Sequence, residues 1–146
     1  MKSVYADSSF LLALHLNQVH TTQAQTTWDQ LGKNPLPWAA LHKLEVRNAI
    51  RRHHQRGHIT HDRMVDTLRL LEVNRSQGLL VDYPVDWLVV LDRAELISGE
   101  RTPEIGAGAL DVLHVATALH LQFDAFVTFD ATQAKLAEAC GLEVLP

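Results

Sequence analysis

Cysteine occurs once in these 146 residues, at Cys140. No internal disulfide framework and no multi-cysteine metal site can be built from it, which is the usage a reducing cytoplasm permits. Long apolar runs are missing too. Nothing approaches the roughly 18 to 20 uninterrupted apolar residues that a membrane span needs, and the short run from Phe10 to Leu16, preceded by Asp7 and interrupted by His15, does not read as a signal peptide. Nor is positive charge in excess: Lys plus Arg total 13 against 17 Asp plus Glu, a net charge of −4. A general nucleic-acid-binding coat is therefore excluded, and any polyanion partner must be met by a local basic patch. Internal repeats and low-complexity segments are also absent. What is present is 47% hydrophobic content, enough for one compact domain over residues 1–146, with no room for a second, and expected to be soluble and cytoplasmic.

Along the chain, strand and helix patterns alternate. Val4-Tyr5-Ala6 favours a strand, and Ser8-Ser9 can cap a helix carrying Phe10, Leu11 and Leu14 on one side. A helix over His20–Leu31 closes at Gly32 and Asn34, and Leu36–Ala39 reads as a short strand. Helical spacing follows from Leu41 to Gln55, stopped by Gly57, and from His61 to Arg75, broken by Gly78. Leu79-Leu80-Val81 predicts a strand and Pro84–Leu96 a helix. Ser98–Gly108, rich in Gly, Pro and charge, is expected to be a mobile loop. Ala109–Leu121 is a helix apolar nearly all round, Ala125–Thr128 a strand, Ala131–Ala139 a helix ended by Gly141, and Leu142–Leu145 a last strand. Such alternation implies an α/β fold with a parallel sheet.

Four carboxylates stand out against this background. Asp7 and Asp130 fall at the carboxyl ends of the first strand and of the strand at 125–128, where open parallel sheets place their ligand sites. If those strands are neighbours, both acids face one crevice, where a like-charged pair would want a cation. Capping the following helix explains either one alone. Asp111 opens the run Asp111–Leu119, in which only His114 and Thr117 relieve the apolar character, so its charge must be paired, capped or metal-bound; the helix dipole would also favour it there. Glu45 has Leu41, His42, Asn48 and Ala49 at three and four positions, none permanently basic; His42 could hydrogen-bond to it, and Arg52 lies two turns away on its face.

The runs Tyr5-Ala6-Asp7-Ser8-Ser9, Leu44-Glu45-Val46-Arg47-Asn48-Ala49, Leu110–Ala118 and Phe126-Val127-Thr128-Phe129-Asp130, followed by Ala139–Val144, together resemble the PIN domain, most closely its toxin ribonucleases of VapC type. The resemblance runs from Val4 to Val144, with the four acids in the family's order. It implies a three-layer α/β/α sandwich with a mainly parallel sheet, forming a single PIN-like nuclease domain over 1–146. It makes Asp7, Glu45, Asp111 and Asp130 the metal-binding and catalytic set, with Ser8 and Thr128 orienting a carboxylate or a bound water. It also implies a cognate antitoxin and a homodimer. One departure concerns the helix bearing Glu45: the family often has Ser or Thr ahead of it, and this chain has Ala39-Ala40.

Carboxylate-only sites suit Mg²⁺ or Mn²⁺, and such ions activate water for phosphodiester hydrolysis. The expectation is a metal-dependent endoribonuclease, the toxin of a toxin–antitoxin system. Asp7 and Asp111 would hold the principal metal, Asp130 would reach it through water or hold a second ion, and Glu45 would position or deprotonate the attacking water. Of the basic residues near Glu45, Arg52 is expected to contact RNA phosphate, while Lys43, Arg47 and Arg51 form a separate stripe that reads as a solvated face. Zinc is not supported: His54, His58 and His61 flank Gly57, where helix geometry is lost, no cysteine is near, and Asp62 is the one adjacent acid. His114 reads as a hydrogen-bonded core residue, Gly106-Ala107-Gly108 as flexible lead-in to a helix, and Trp28, Trp38 and Trp87 as core or interface. The rival readings are a catalytically silent PIN-like RNA- or protein-binding module and a phosphoryl-accepting regulatory domain. The latter lacks its acidic doublet and late lysine.

Overall fold

A computed structural model describes residues 2–145. In chain order the elements are β1 (Val4–Ala6), α1 (Ser8–His15), α2 (Thr21–Gln30), β2 (Leu36–Trp38), α3 (Ala40–Gln55), α4 (His61–Ser76), β3 (Leu80–Asp82), α5 (Trp87–Ile105), α6 (Ala109–His120), β4 (Ala125–Val127), α7 (Ala131–Ala139) and β5 (Glu143–Leu145). The fold is α/β, and every strand pairing among the described residues is parallel. The elements fall into two compact units, Met1–Asp7 with Pro84–Pro146, and Ser8–Tyr83.

The first unit holds a sheet in the order β1-β4-β5, with Tyr5 opposite Phe126 and Phe126 opposite Val144. β1 and β4 are buried throughout, as their unrelieved apolar sequences Val-Tyr-Ala and Ala-Phe-Val require of parallel strands covered on both faces. Tyr5 and Phe126 stack at 5.4 Å between ring centroids. Around them a core gathers Val90, Ala94 and Ile97 of α5, Val112, Val115 and Ala116 of α6, and Leu136 and Ala137 of α7. Deleting a ring such as Phe126 from this core would cost about 3–5 kcal/mol.

The second unit pairs β2 with β3, Leu36 opposite Leu80 and Trp38 opposite Asp82. α1 packs against α2, α3 and α4, burying Phe10 and Leu11, and α3 buries Val46 and Ile50. The missing Ser or Thr before α3 has a substitute. The backbone N–H of Ala39 donates to Nδ1 of His42 at 3.0 Å, so a buried ring accepts from the chain at the helix start. His42 thus acts on its own helix terminus.

Two expectations for residues 98–108 are overturned. Ser98–Gly108 is not a mobile loop: α5 continues through it to Ile105, despite Gly99 and Pro103. Pro103 has no N–H, so the helix forgoes the bond to the carbonyl of Gly99. Glu100, Arg101 and Glu104 are good helix formers, and Arg101 donates to the carbonyl of Ala139 at 3.1 Å, tying the last turns of α5 to the end of α7. The helix stops at Gly106, which takes the left-handed conformation with φ of 75° and donates to the carbonyl of Thr102. Gly106-Ala107-Gly108 is accordingly a tight αL stop followed by a buried Ala107, not a flexible lead-in.

Candidate active site

In the first unit the parallel pairing of β1 and β4 puts Asp7 and Thr128 side by side, each immediately past the carboxyl end of its strand. The N–H of Asp7 continues the ladder to the carbonyl of Val127 at 3.1 Å. Asp7 is only 3% exposed. The hydroxyl of Thr128 donates to Oδ2 of Asp7 at 2.6 Å, and Oγ1 of Thr128 itself accepts from the N–H of Asp130 at 3.0 Å. One buried hydroxyl therefore fixes a carboxylate with its hydrogen and a turn with its lone pair.

Asp130 is exposed and caps α7: its Oδ1 accepts from the N–H of Gln133 at 3.0 Å. Asp111 lies in the first turn of α6, where the dipole favours a negative charge. It is coupled to the other two through a residue that the sequence reading did not single out. Gln133, 1% exposed, donates its backbone N–H to Asp130 and its Nε2 to the backbone carbonyl of Asp111 at 3.3 Å, while its Oε1, 3.2 Å from Thr128 Oγ1, is a second acceptor competing with Asp7 for the hydroxyl hydrogen. The sequence did carry a signal. An N-cap Asp130 with Gln133 three residues on has capping-box spacing. Here the glutamine does not reach back to the cap, because the Thr128 hydroxyl already takes the Asp130 N–H. The side chain is thereby available to tie the start of α7 to the first turn of α6.

Glu45 and Ser8 belong to the second unit, where the Ser8 hydroxyl donates to Oε1 of Glu45 at 3.0 Å. Ser8 directly follows Asp7 in the chain. Arg52 is exposed on α3. The basic stripe is only partly a solvated face, since Arg47 pairs with Glu72 of α4 at 3.4 Å. Among the described residues, no group of three or more His, Cys, Asp or Glu is arranged to hold a metal ion. The donors nonetheless fit a hard divalent cation by chemistry. Asp7, Asp111 and Asp130 offer carboxylate oxygens only, the first of them buried and oriented by a hydroxyl.

His114, predicted as a core histidine, is one: buried on α6, it meets the Tyr5 hydroxyl at Nδ1, 2.7 Å away. Trp38 is buried; Trp28 is half-buried and donates to the carbonyl of Asn34, and Trp87 packs against the first unit's core. Cys140, the C-cap of α7, is partly buried, and burial pushes its thiol above the ordinary value. No helix of the described residues is long and apolar enough to cross a membrane.

Comparison with known families matches the model described as PIN domain to residues 4–139. Two solved structures are similar over nearly the whole chain. One is VapC20 of Mycobacterium tuberculosis, described as a sarcin-ricin loop cleaving toxin, with a TM-score of 0.69 and 17% identity over 99% of this chain and 100% of that one. The other is FitAcB from Neisseria gonorrhoeae, with a TM-score of 0.64 and 13% identity over 98% and 96%. Comparison with curated proteins finds no match.

Proposed function

Because this chain belongs to the PIN-domain family, whose match spans residues 4–139, we propose that it is a divalent-metal-dependent endoribonuclease and the toxin of a toxin–antitoxin pair. The observation that carries this reading is the hydrogen-bonded chain from buried Asp7 through the Thr128 hydroxyl to Asp130, and on through Gln133 to the backbone of Asp111, which couples three of the family's acids at strand ends and a helix start. The described toxin activity of a structural neighbour supports the class of reaction. We take residues 1–146 as one such domain, since the family match runs through both units.

Asp7 and Asp111 are assigned to the principal metal, with Asp130 reaching it through water or serving a second ion. Mg²⁺ or Mn²⁺ bound there would neutralise charge on the phosphoryl oxygens and lower the pKa of a water. The chain's own residues do the rest. The Thr128 hydroxyl restrains the Asp7 carboxylate in one orientation, so a ligand oxygen does not have to be ordered when metal and RNA arrive. Gln133 holds the start of α6, and with it Asp111, against the turn after β4. Glu45, oriented by Ser8, is assigned to handling the attacking water, and Arg52 to a phosphate. A small antitoxin protein and a second copy of this chain are the partners that this reading implies, in a cytoplasmic setting.

The test is cleavage of an RNA substrate pool in Mg²⁺ and in Mn²⁺. The unaltered chain is expected to cut, and Asp7→Asn and Asp111→Asn to lose at least about 100-fold while keeping their folded spectra. Undiminished cutting by both folded variants would refute the assignment. Tight binding without cutting in either metal would make the chain a silent PIN-like module.

A further inference from the structure

α3 ends and α4 begins in a strongly cationic turn. Between residues 51 and 63 lie Arg51, Arg52, Arg56 and Arg63 with His53, His54, His58 and His61, against the single acid Asp62, on a chain whose net charge is −4. All four arginines are exposed. Their state differs from that of arginines elsewhere in the same unit: among the described residues Arg47, Arg69 and Arg75 pair with Glu72, Asp66 and Asp82, whereas none of these four is in an ion pair.

Helix geometry orders the cations relative to Glu45. Arg52 follows it by about 10 Å and Arg56 by about 16 Å along the axis, each within about 20° of the Glu45 direction. Arg56, the C-cap, keeps αR backbone angles and so extends the line. Two pairs of imidazoles stand at the same end: His53 and His58 at 5.7 Å, and His54 and His61 at 5.8 Å between centroids. Guanidinium forks match phosphate oxygens bidentately, and planar rings beside them offer stacking to unpaired bases. An acidic protein would use the charges but not the rings.

We propose that the α3–α4 turn, through Arg52, Arg56 and Arg63 and its flanking histidines, is the binding track for a single-stranded or looped segment of RNA lying beyond the bond to be cut. The proposal rests on the ribonuclease reading above. His53 reports on it. Partial burial first, then the charges of His58, Arg56 and Arg52, hold its pKa below the ordinary value. Its other contact is Gln18, whose Nε2 lies 3.2 Å from the ring. A phosphate bound among those cations would raise it.

The test measures anisotropy of a fluorescein-labelled mixed-sequence 20-nucleotide RNA on the full chain, with EDTA to prevent cutting, across a salt series. The triple variant Arg52→Ala, Arg56→Ala, Arg63→Ala is expected to bind at least about tenfold more weakly, with the slope of log K against log salt about 2 units shallower, as loss of three phosphate contacts on a single strand predicts. The triple Lys33→Gln, Arg69→Ala, Arg93→Ala, which removes equal charge elsewhere, is expected to leave the slope within about half a unit. In the unaltered chain, proton NMR is expected to show the His53 titration moving upward when the RNA is added. If the unaltered chain binds and cuts RNA but the first triple keeps the full slope, this inference is overturned and the ribonuclease reading stands. If polyglutamate competes as well as the RNA does, the turn is an acidic-protein surface and the inference fails. If the chain neither binds nor cuts RNA, both readings fall together.

Discussion

Thr128 spends its one hydrogen on Asp7 and its lone pair on the Asp130 N–H, so its removal should be felt in both folding and metal affinity. Thr128→Val leaves the buried Asp7 carboxylate and the partly buried Asp130 N–H without this partner, and a loss of about 1–3 kcal/mol is expected in urea unfolding. Thr128→Ser keeps the hydroxyl and is expected to restore Mn²⁺ affinity measured by calorimetry; equal weakening by Val and Ser would mean that the hydroxyl does not orient Asp7. His15 gives a second prediction. Its ring sits between the carbonyl of Leu11, 2.6 Å from Nδ1, and the side-chain amide of Asn74, 2.8 Å from Nε2, and burial lowers its pKa below 6.5. The folded chain thus prefers the neutral ring, the unfolded chain takes up the proton first as pH falls, and stability is lost downward from pH 6.5 by at most about 1.4 kcal/mol per unit. Comparing urea midpoints at pH 7.5 and 5.5 for the unaltered chain and His15→Gln checks this, since the variant should show the smaller drop. At this scale the positions of Asp7 past β1, Asp111 in the first turn of α6 and Asp130 at the start of α7 were legible, because acids at strand ends and on an apolar helix are conspicuous. It did not disclose Gln133, whose capping-box spacing points to its own helix and not to the carbonyl of Asp111, 22 residues earlier in the chain, that it reaches.

Among the elements, α5 departs furthest from its sequence pattern. Local composition around Gly99 and Pro103 favours a loop, yet the bond from Arg101 to Ala139 and the packing of α5 on α6 and α7 outweigh about 1 kcal/mol for the glycine and about 3 kcal/mol for an interior proline. Hydrogen exchange should therefore find the amides of Ile97 to Thr102 protected well beyond loop values; rapid exchange there would mean that the helix ends before Gly99. At its terminus Gly106 adopts φ of 75° with nothing within 4 Å of where a Cβ would sit. Gly106→Ala is then a purely conformational change, expected to cost about 1–2 kcal/mol in thermal unfolding. The beginning of α3 was illegible for the opposite reason. Capping rules look for an oxygen-bearing side chain at the cap, and here a ring nitrogen three residues into the helix serves the backbone instead.

For the molecule as a whole, the alternation of strand and helix patterns and the order of the four acids sufficed for the fold class, because both are properties of the chain read end to end. The division of strands between two sheets, β1-β4-β5 and β2-β3, depends on long-range pairing that no local window contains. The dimer implied by the resemblance has a direct check: light scattering in solution is expected to return twice the 16.4 kDa of one chain, and a mass of one chain at micromolar concentration would remove that expectation. The bridge from Gln133 bears on how such a nuclease could be studied at all. Its amide grips the backbone carbonyl of Asp111, a group that every amino acid carries, so the anchoring of α6 is indifferent to which side chain occupies position 111. An Asp111→Asn protein should keep that anchor, which would let a host cell accumulate the disarmed protein and let an uncut RNA be captured on it for crystallography.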